Sequence, residues 1–195
     1  MNSSFNFKQL RILVVLIILT VVVGLTRTCQ AQCFTDSPLI TMFVDSLETL
    51  VDPTIVYDPT YRKLDSMCDD VPADIGVCSD VVVRAFAKID ICLAEAVNNY
   101  LKKRGVKTDR HIDHRRVRNL GLLFTYAGFE IPIKQSYDLD YYKPGDIIWW
   151  KLSRDIDHIG IVGKNGKVLH NIGQGQVMNV SPYAYRIHKA YRINV

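Results

Sequence analysis

Cys78, His158 and the pair His170-Asn171 are the residues in this chain of 195 whose types and order could make a nucleophile. Cys78 stands in Asp74-Ile75-Gly76-Val77-Cys78-Ser79-Asp80-Val81-Val82-Val83-Arg84-Ala85-Phe86, where a loop gives way to a helical run. A thiol at a helix N-terminus meets the positive end of the macrodipole and unpaired N–H groups, which favour the thiolate. The competing role is a small buried apolar side chain, the commoner fate of a free cysteine. An imidazole beside such a thiol can take its proton. A second polar group bonded to the other ring nitrogen fixes the tautomer. His158 opens one apolar strand pattern, and His170 and Asn171 sit on the next. Each histidine alone is more often structural; the three together are what carry chemistry.

The elements that must position them fall into two halves. Ser37-Pro38 opens a helix, with a cap and then proline in the first turn, and Leu39, Phe43, Leu47 and Leu50 recur at helical spacing until Pro53. Tyr57-Asp58-Pro59-Thr60-Tyr61 reads as an extended, turn-rich approach to the cysteine whose tyrosines could line a groove. The cysteine helix is apolar on most sides and therefore expected to be central. Further helices are expected from about Leu93 to Arg104, ending at Gly105, and from about Arg116 to Ala127, ending at Gly128. From Tyr141 the pattern changes to strands over residues 147–152, 157–162, 167–172, 176–180 and 186–193. Helices followed by a meander give an α+β fold, N-terminal helices packed on an antiparallel sheet of about five strands.

The hairpin around Asn165-Gly166 has two possible registers. With a two-residue turn, His158 faces Gly173, Asn171 shares its side of the sheet and His170 points away. With a three-residue loop, Lys164-Asn165-Gly166 with the glycine left-handed, His170 sits opposite Gly160 and diagonal to His158 on one face. One residue of register decides whether His170 or Asn171 orients His158.

The totals exclude several classes. A composition 48% hydrophobic and 10% aromatic supports a real core. The charge of +4 drops to +1 once Lys8, Arg11 and Arg27 are set aside as part of a leader. A nearly neutral domain whose basic run, residues 107–118, has no interleaved aromatics argues against nucleic acid. That run either grips carboxylates or phosphates or is a solvated connector, and His114 beside Asp113 is a candidate for site support. The five cysteines form no C-x-x-C pair, so no zinc ribbon and no metal are expected. Lys8 and Arg11 precede an apolar run over residues 12–25, about 21 Å as a helix and short of a bilayer core of about 30 Å. Residues 1–31 are therefore expected to be a signal peptide, or alternatively an uncleaved membrane anchor, delivering one domain over residues 36–195 to the periplasm or the exterior. In an oxidising compartment some of Cys33, Cys68 and Cys92 are expected to pair, with the pairing left open.

The Cys-His-polar order is that of papain, and the chain resembles the papain-like cell-wall cysteine peptidases of the NlpC type. The motifs are Gly76-Val77-Cys78-Ser79-Asp80, Pro144-Gly145-Asp146-Ile147-Ile148 and His158-Ile159-Gly160-Ile161-Val162, followed by Asn165-Gly166 and Val168-Leu169-His170. It is similar, more closely, to domain-of-unknown-function family 1287, through Asp113-His114-Arg115-Arg116 and His170-Asn171-Ile172-Gly173, over roughly residues 55–193. The resemblance implies a papain-like fold with Cys78 as nucleophile, His158 as base and His170 as third member, which favours the three-residue hairpin. It places Tyr61 at a substrate-binding tyrosine, with Asp80 standing where the NlpC group usually has glycine. Arg115 and Arg116 are candidates for substrate carboxylates on charge alone. The expected activity is a monomeric, cofactor-free thiol hydrolase cutting amide bonds, with peptidoglycan stem peptides or another peptide as substrate. The alternatives are a non-catalytic wall- or peptide-binding module on the same fold, or an acyl or peptidyl transferase using the same thioester.

Overall fold

Proline at the first helical turn and the spacing of Phe43, Val44 and Leu47 start the described fold with α1, Pro38–Glu48, whose buried stripe these three residues form. The computed structural model describes residues 37–134, 137–138, 140–154 and 156–193. The leader, its apolar run over residues 12–25 and Cys33 lie outside the described residues. Among the described residues no helix is long and apolar enough to cross a membrane. Helix α1 ends before Pro53 is reached, in tight turns in which the N–H groups of Thr49 and Leu50 donate to the carbonyls of Ser46 and Leu47.

The tyrosine-rich approach is tied down by a two-residue parallel pair, β1 (Val56–Tyr57) with β2 (Ile75–Gly76). Helix α2, Cys78–Ala87, follows at once and is central, with Val81, Val82 and Ala85 fully buried. Helix α3 is Leu93–Lys103 and α4 is Val117–Tyr126, joined through a 3-10 turn over Asp113–Arg115. The sheet runs β3 (Glu130–Ile131), β8 (Arg186–Tyr191), β4 (Ile147–Lys151), β5 (Asp157–Val162), β6 (Val168–Asn171), β7 (Gln176–Val180) in spatial order. Its pairings are antiparallel throughout. The fold is thus mixed α+β with six strands rather than about five. The extra one, β3, has only two residues on the sheet's edge against β8, too short to leave an alternating pattern in the sequence.

Alternation along the strands divides the core. Ile147, Trp149, Ile159, Ile161, Leu169 and Tyr191 pack against the helices. Ile148, Trp150, Val162, Val168, Ile187 and Ala190 form the opposite face, closed over by Tyr142, Tyr183 and Tyr185. The motif Pro144-Gly145-Asp146 is a corner of this sheet. Buried Asp146 takes a two-pronged bond from Arg192, Nε at 2.8 Å and Nη2 at 2.6 Å.

The three-residue hairpin is the one realised. Ile161 faces Leu169 and Val162 faces Val168. Gly163 N–H bonds the carbonyl of Lys167 at 2.7 Å, and Gly166 takes a φ of +71° in the loop. Gly160 leaves no room for a side chain beside β6. A Cβ there would come within 2.6 Å of Val168 Cγ1 and 2.7 Å of the Leu169 carbonyl.

Of the cysteines left open for pairing, Cys68 and Cys92 form a disulfide, joining the loop before β2 to the start of α3, and Cys78 is free. Closing a loop of 24 residues restricts the unfolded chain. Replacing both cysteines by alanine is expected to lower unfolding free energy by about 3 kcal/mol. Urea titration of both proteins checks this, and equal midpoints would contradict it.

Candidate active site

Asp80 fixes the start of the cysteine helix. It occupies the third helical position, and its Oδ2 accepts the N–H of Val77 at 2.7 Å, a bond that holds the entering chain in register. The same carboxylate takes Arg115, Nε at 2.9 Å and Nη2 at 2.9 Å, with both side chains buried. Arg115 spends its remaining donors on the carbonyls of Thr60 at 3.1 Å and Asp58 at 2.9 Å. Ser79 Oγ donates to the Arg115 carbonyl at 2.6 Å. The centre of the charged run is therefore neither an open anion grip nor a solvated connector: it is a buried clamp that holds residues 58–60 beside Cys78.

The thiol is 4% exposed and lies against the main-chain N–H of Ile159, one residue beyond His158. Burial pushes its pKa up to about 11, and the Asp80 charge adds to that, while the N–H groups of Ile159, Ser79 and Cys78 pull the other way. The helix terminus favours the thiolate as expected, but desolvation is the larger effect.

His158 and His170 lie on the sheet face of Trp150, diagonal to one another as the three-residue hairpin requires. His158 Nε2 and His170 Nδ1 are 2.9 Å apart. His170 Nε2 is 3.1 Å from Asn179 Oδ1. Trp150 stacks on His158 with ring centroids at 5.5 Å and planes 13° apart, and its own Nε1 donates to the Pro182 carbonyl. With Nε2 engaged, Nδ1 is the His158 nitrogen left for a thiol. Among the described residues no hydrogen bond joins it to Cys78. The sulfur lies on the helix side of β5, against the Ile159 N–H, and the imidazoles stand on the opposite face of the sheet with Trp150. Burial drives the His158 pKa down to about 3, with His170 adding to the effect, and burial lowers His170 as well.

Asn171, the other candidate orienter, is turned to the helix side. Its Nδ2 donates to the Gly76 carbonyl at 3.3 Å and its Oδ1 accepts from Gly173 N–H at 2.9 Å. It braces the loop before the nucleophile instead of touching His158. His114 is buried under the clamp, and its pKa is lowered by burial. A cleft of about 390 Å³ opens over the thiol, lined by Tyr57, Pro59, Cys78, Arg115, Arg116 and Arg118 among others. Arg116 keeps a largely exposed guanidinium bonded to Asp113 at 2.8 Å. Tyr61 is not among the lining residues; its hydroxyl points to Asp109 at 3.4 Å, and Tyr57, in the same approach, takes the place beside the thiol. Among the described residues, the side chains close enough together to hold a metal are Cys68, Cys92 and Glu95, and those two sulfurs are joined in the disulfide.

Asn179, Trp150 and Asp157 were not legible as site residues. Asp157 ends the cleft, accepting Trp149 Nε1 at 2.8 Å and Arg118 Nε at 3.1 Å. Its place directly before His158 was the available signal.

The neutral histidines give stability a pH dependence of known sign. His158 titrates near 3 in the fold and near about 6.5 in an unfolded chain. Between those values the unfolded chain binds a proton that the fold does not. Stability therefore falls as pH drops below about 6.5, by at most about 1.4 kcal/mol per pH unit for this imidazole. His170 and His114 act in the same direction. The urea midpoint at pH 5 is expected below that at pH 7, with a shallower slope in His158→Gln; a flat midpoint would contradict it.

Fold and site together define a class: α+β proteins whose central helix starts on a buried thiol, set against an antiparallel sheet that carries a hydrogen-bonded histidine pair. The chain belongs to the family described as Domain of unknown function (DUF1287), which matches residues 44–193. It is similar to the uncharacterized protein YijF of Escherichia coli (strain K12), at 33% identity over 163 residues, 76% of this chain and 78% of that protein.

Proposed function

We propose that the chain is an exported thiol hydrolase of the papain-like NlpC type that cleaves amide bonds, with peptidoglycan stem peptides as substrate. The observation that carries this reading is the placement of Cys78 at the start of α2 against the Ile159 N–H of β5, one residue along from His158, which is itself bonded to His170. His158 Nδ1 takes the Sγ proton as the sulfur attacks the carbonyl carbon. The N–H groups around the sulfur, that of Cys78 among them, stabilise the oxyanion. His158 then gives the proton to the leaving amine. Water, deprotonated by the same nitrogen, attacks the thioester, releases the acid and restores the thiol. With the thiol high and the imidazole low, the proton moves during attack instead of resting as an ion pair. Export, through residues 1–31 as signal or anchor, is supported by the Cys68–Cys92 disulfide, which suits an oxidising compartment.

The high thiol pKa and the missing thiol–imidazole bond favour a second reading, a wall- or peptide-binding module without turnover. Digestion of purified peptidoglycan, with product masses, separates the two: new muropeptides lost in Cys78→Ala support the hydrolase, and an intact wall that still retains the protein supports the module. Product mass shifted by an added amine would mark a transferase.

A further inference from the structure

Two neutral histidines sharing one hydrogen bond have two proton arrangements, and only one leaves His158 Nδ1 with a lone pair for the thiol. The contact between His158 Nε2 and His170 Nδ1 is compatible with both, since either ring can donate. The next contact along selects between them. His170 Nε2 faces the amide oxygen of Asn179, and an amide oxygen only accepts. His170 therefore carries its proton on Nε2, its Nδ1 is an acceptor, His158 donates from Nε2, and His158 Nδ1 is left bare. The opposite amide orientation would reverse every step and put a proton where the base must be empty.

Asn179 reaches His170 at an irregularity of β7. His170 pairs with Val177 and Leu169 with Met178, but Val168 pairs with Val180, so Asn179 is the extra residue of a bulge. Val177 faces His170, so Asn179, two residues on, keeps that face, and the bulge brings Val180 onto it as well. Asn179 turns to the imidazole, while Val180 packs with Val168 against the buried face.

We propose that Asn179 is a positioning residue that sets the tautomers of both histidines, extending the chain Cys78, His158, His170 by a fourth member. Its effect on turnover rests on the hydrolase reading; its effect on the tautomers does not. Nitrogen-15 spectra of the imidazoles at pH 7, on the full chain, read the tautomers without substrate, and kcat/KM against pH on peptidoglycan reads the consequence. Wild type and Asn179→Asp are expected to show both histidines protonated on Nε2. The carboxylate of Asn179→Asp also stabilises the imidazolium and moves the acid limb of kcat/KM to higher pH. Asn179→Leu is expected to show mixed tautomers and up to about 100-fold lower kcat at unchanged KM. Unchanged tautomers in Asn179→Leu, or wild-type His158 protonated on Nδ1, would overturn the proposal. Tautomers that shift as expected, with no turnover in any protein, would keep it and remove the hydrolase reading.

Discussion

If the proposed hydrolase reading holds, Cys78→Ala and His158→Ala are each expected to release no measurable muropeptide, a loss of about 10⁴-fold or more in kcat/KM, as when a member of a nucleophile–base pair is removed. The double variant is no worse than either, because the two act as one unit. The thiol's own titration gives a second reading of the same pair. A pKa near 11 predicts that iodoacetamide alkylates Cys78 slowly at pH 7 and ever faster beyond pH 9. That is the reverse of the low-pKa thiolate expected from the helix terminus alone. Alkylation that is already complete in rate at pH 7 would mean that the sulfur and imidazole rest as an ion pair. Removing the sulfur also removes a raised thiol, which contributes stability fully below the unfolded-chain pKa and loses it as pH rises. Cys78→Ala is therefore expected to lose less stability above pH 9 than wild type does.

Arg115→Met is expected to unfold the protein at markedly lower urea. Asp80 is then left in the interior with no counter-ion, a change of about 3–5 kcal/mol for a buried pair broken on one side. The carbonyls of Asp58 and Thr60 lose donors in the same step. Against a total of about 5–15 kcal/mol, that is a large fraction of the fold's stability. The double variant Asp80→Leu/Arg115→Met removes both charges and is expected to recover part of the loss, not all of it, because Val77 N–H still lacks its acceptor. A loss below about 1 kcal/mol in Arg115→Met would show the clamp to be solvated. Arg116→Met, by contrast, removes a largely exposed guanidinium from Asp113, which is buried but keeps its bond from the Asp109 N–H, and is expected to cost less than Arg115→Met.

Much of this was legible in the chain. Proline before a period of three and four placed α1; the apolar run after Cys78 placed a central helix; the continuous apolar run over residues 147–150 placed β4, and the apolar residues after Asp157 placed β5. Other features needed coordinates. Arg115 sits among eleven other residues of a charged run, and charge patterning cannot say which guanidinium turns inward to Asp80, 35 positions earlier. The choice between His170 and Asn171 turned on one residue of register, which two standard loops satisfied equally. Asn179 was invisible because which residues of β7 stand beside His170 depends on the β6–β7 register, which the sequence does not specify. Tyr57 and Tyr61 lie four apart in an irregular segment, where no periodicity tells which one meets the thiol.

The loop Lys164-Asn165-Gly166 is exposed, polar and remote from the sulfur, the kind of place where chains usually gain or lose residues freely. Here it works as a ruler. One residue removed would carry His170 through the sheet and put Asn171 in its stead, though nothing in the cleft had been touched. The turn can vary in composition, provided that its last residue accepts a positive φ, but it cannot vary in length. Insertions and deletions that elsewhere in a surface hairpin would be neutral are, at this turn, equivalent to substituting a residue of the site.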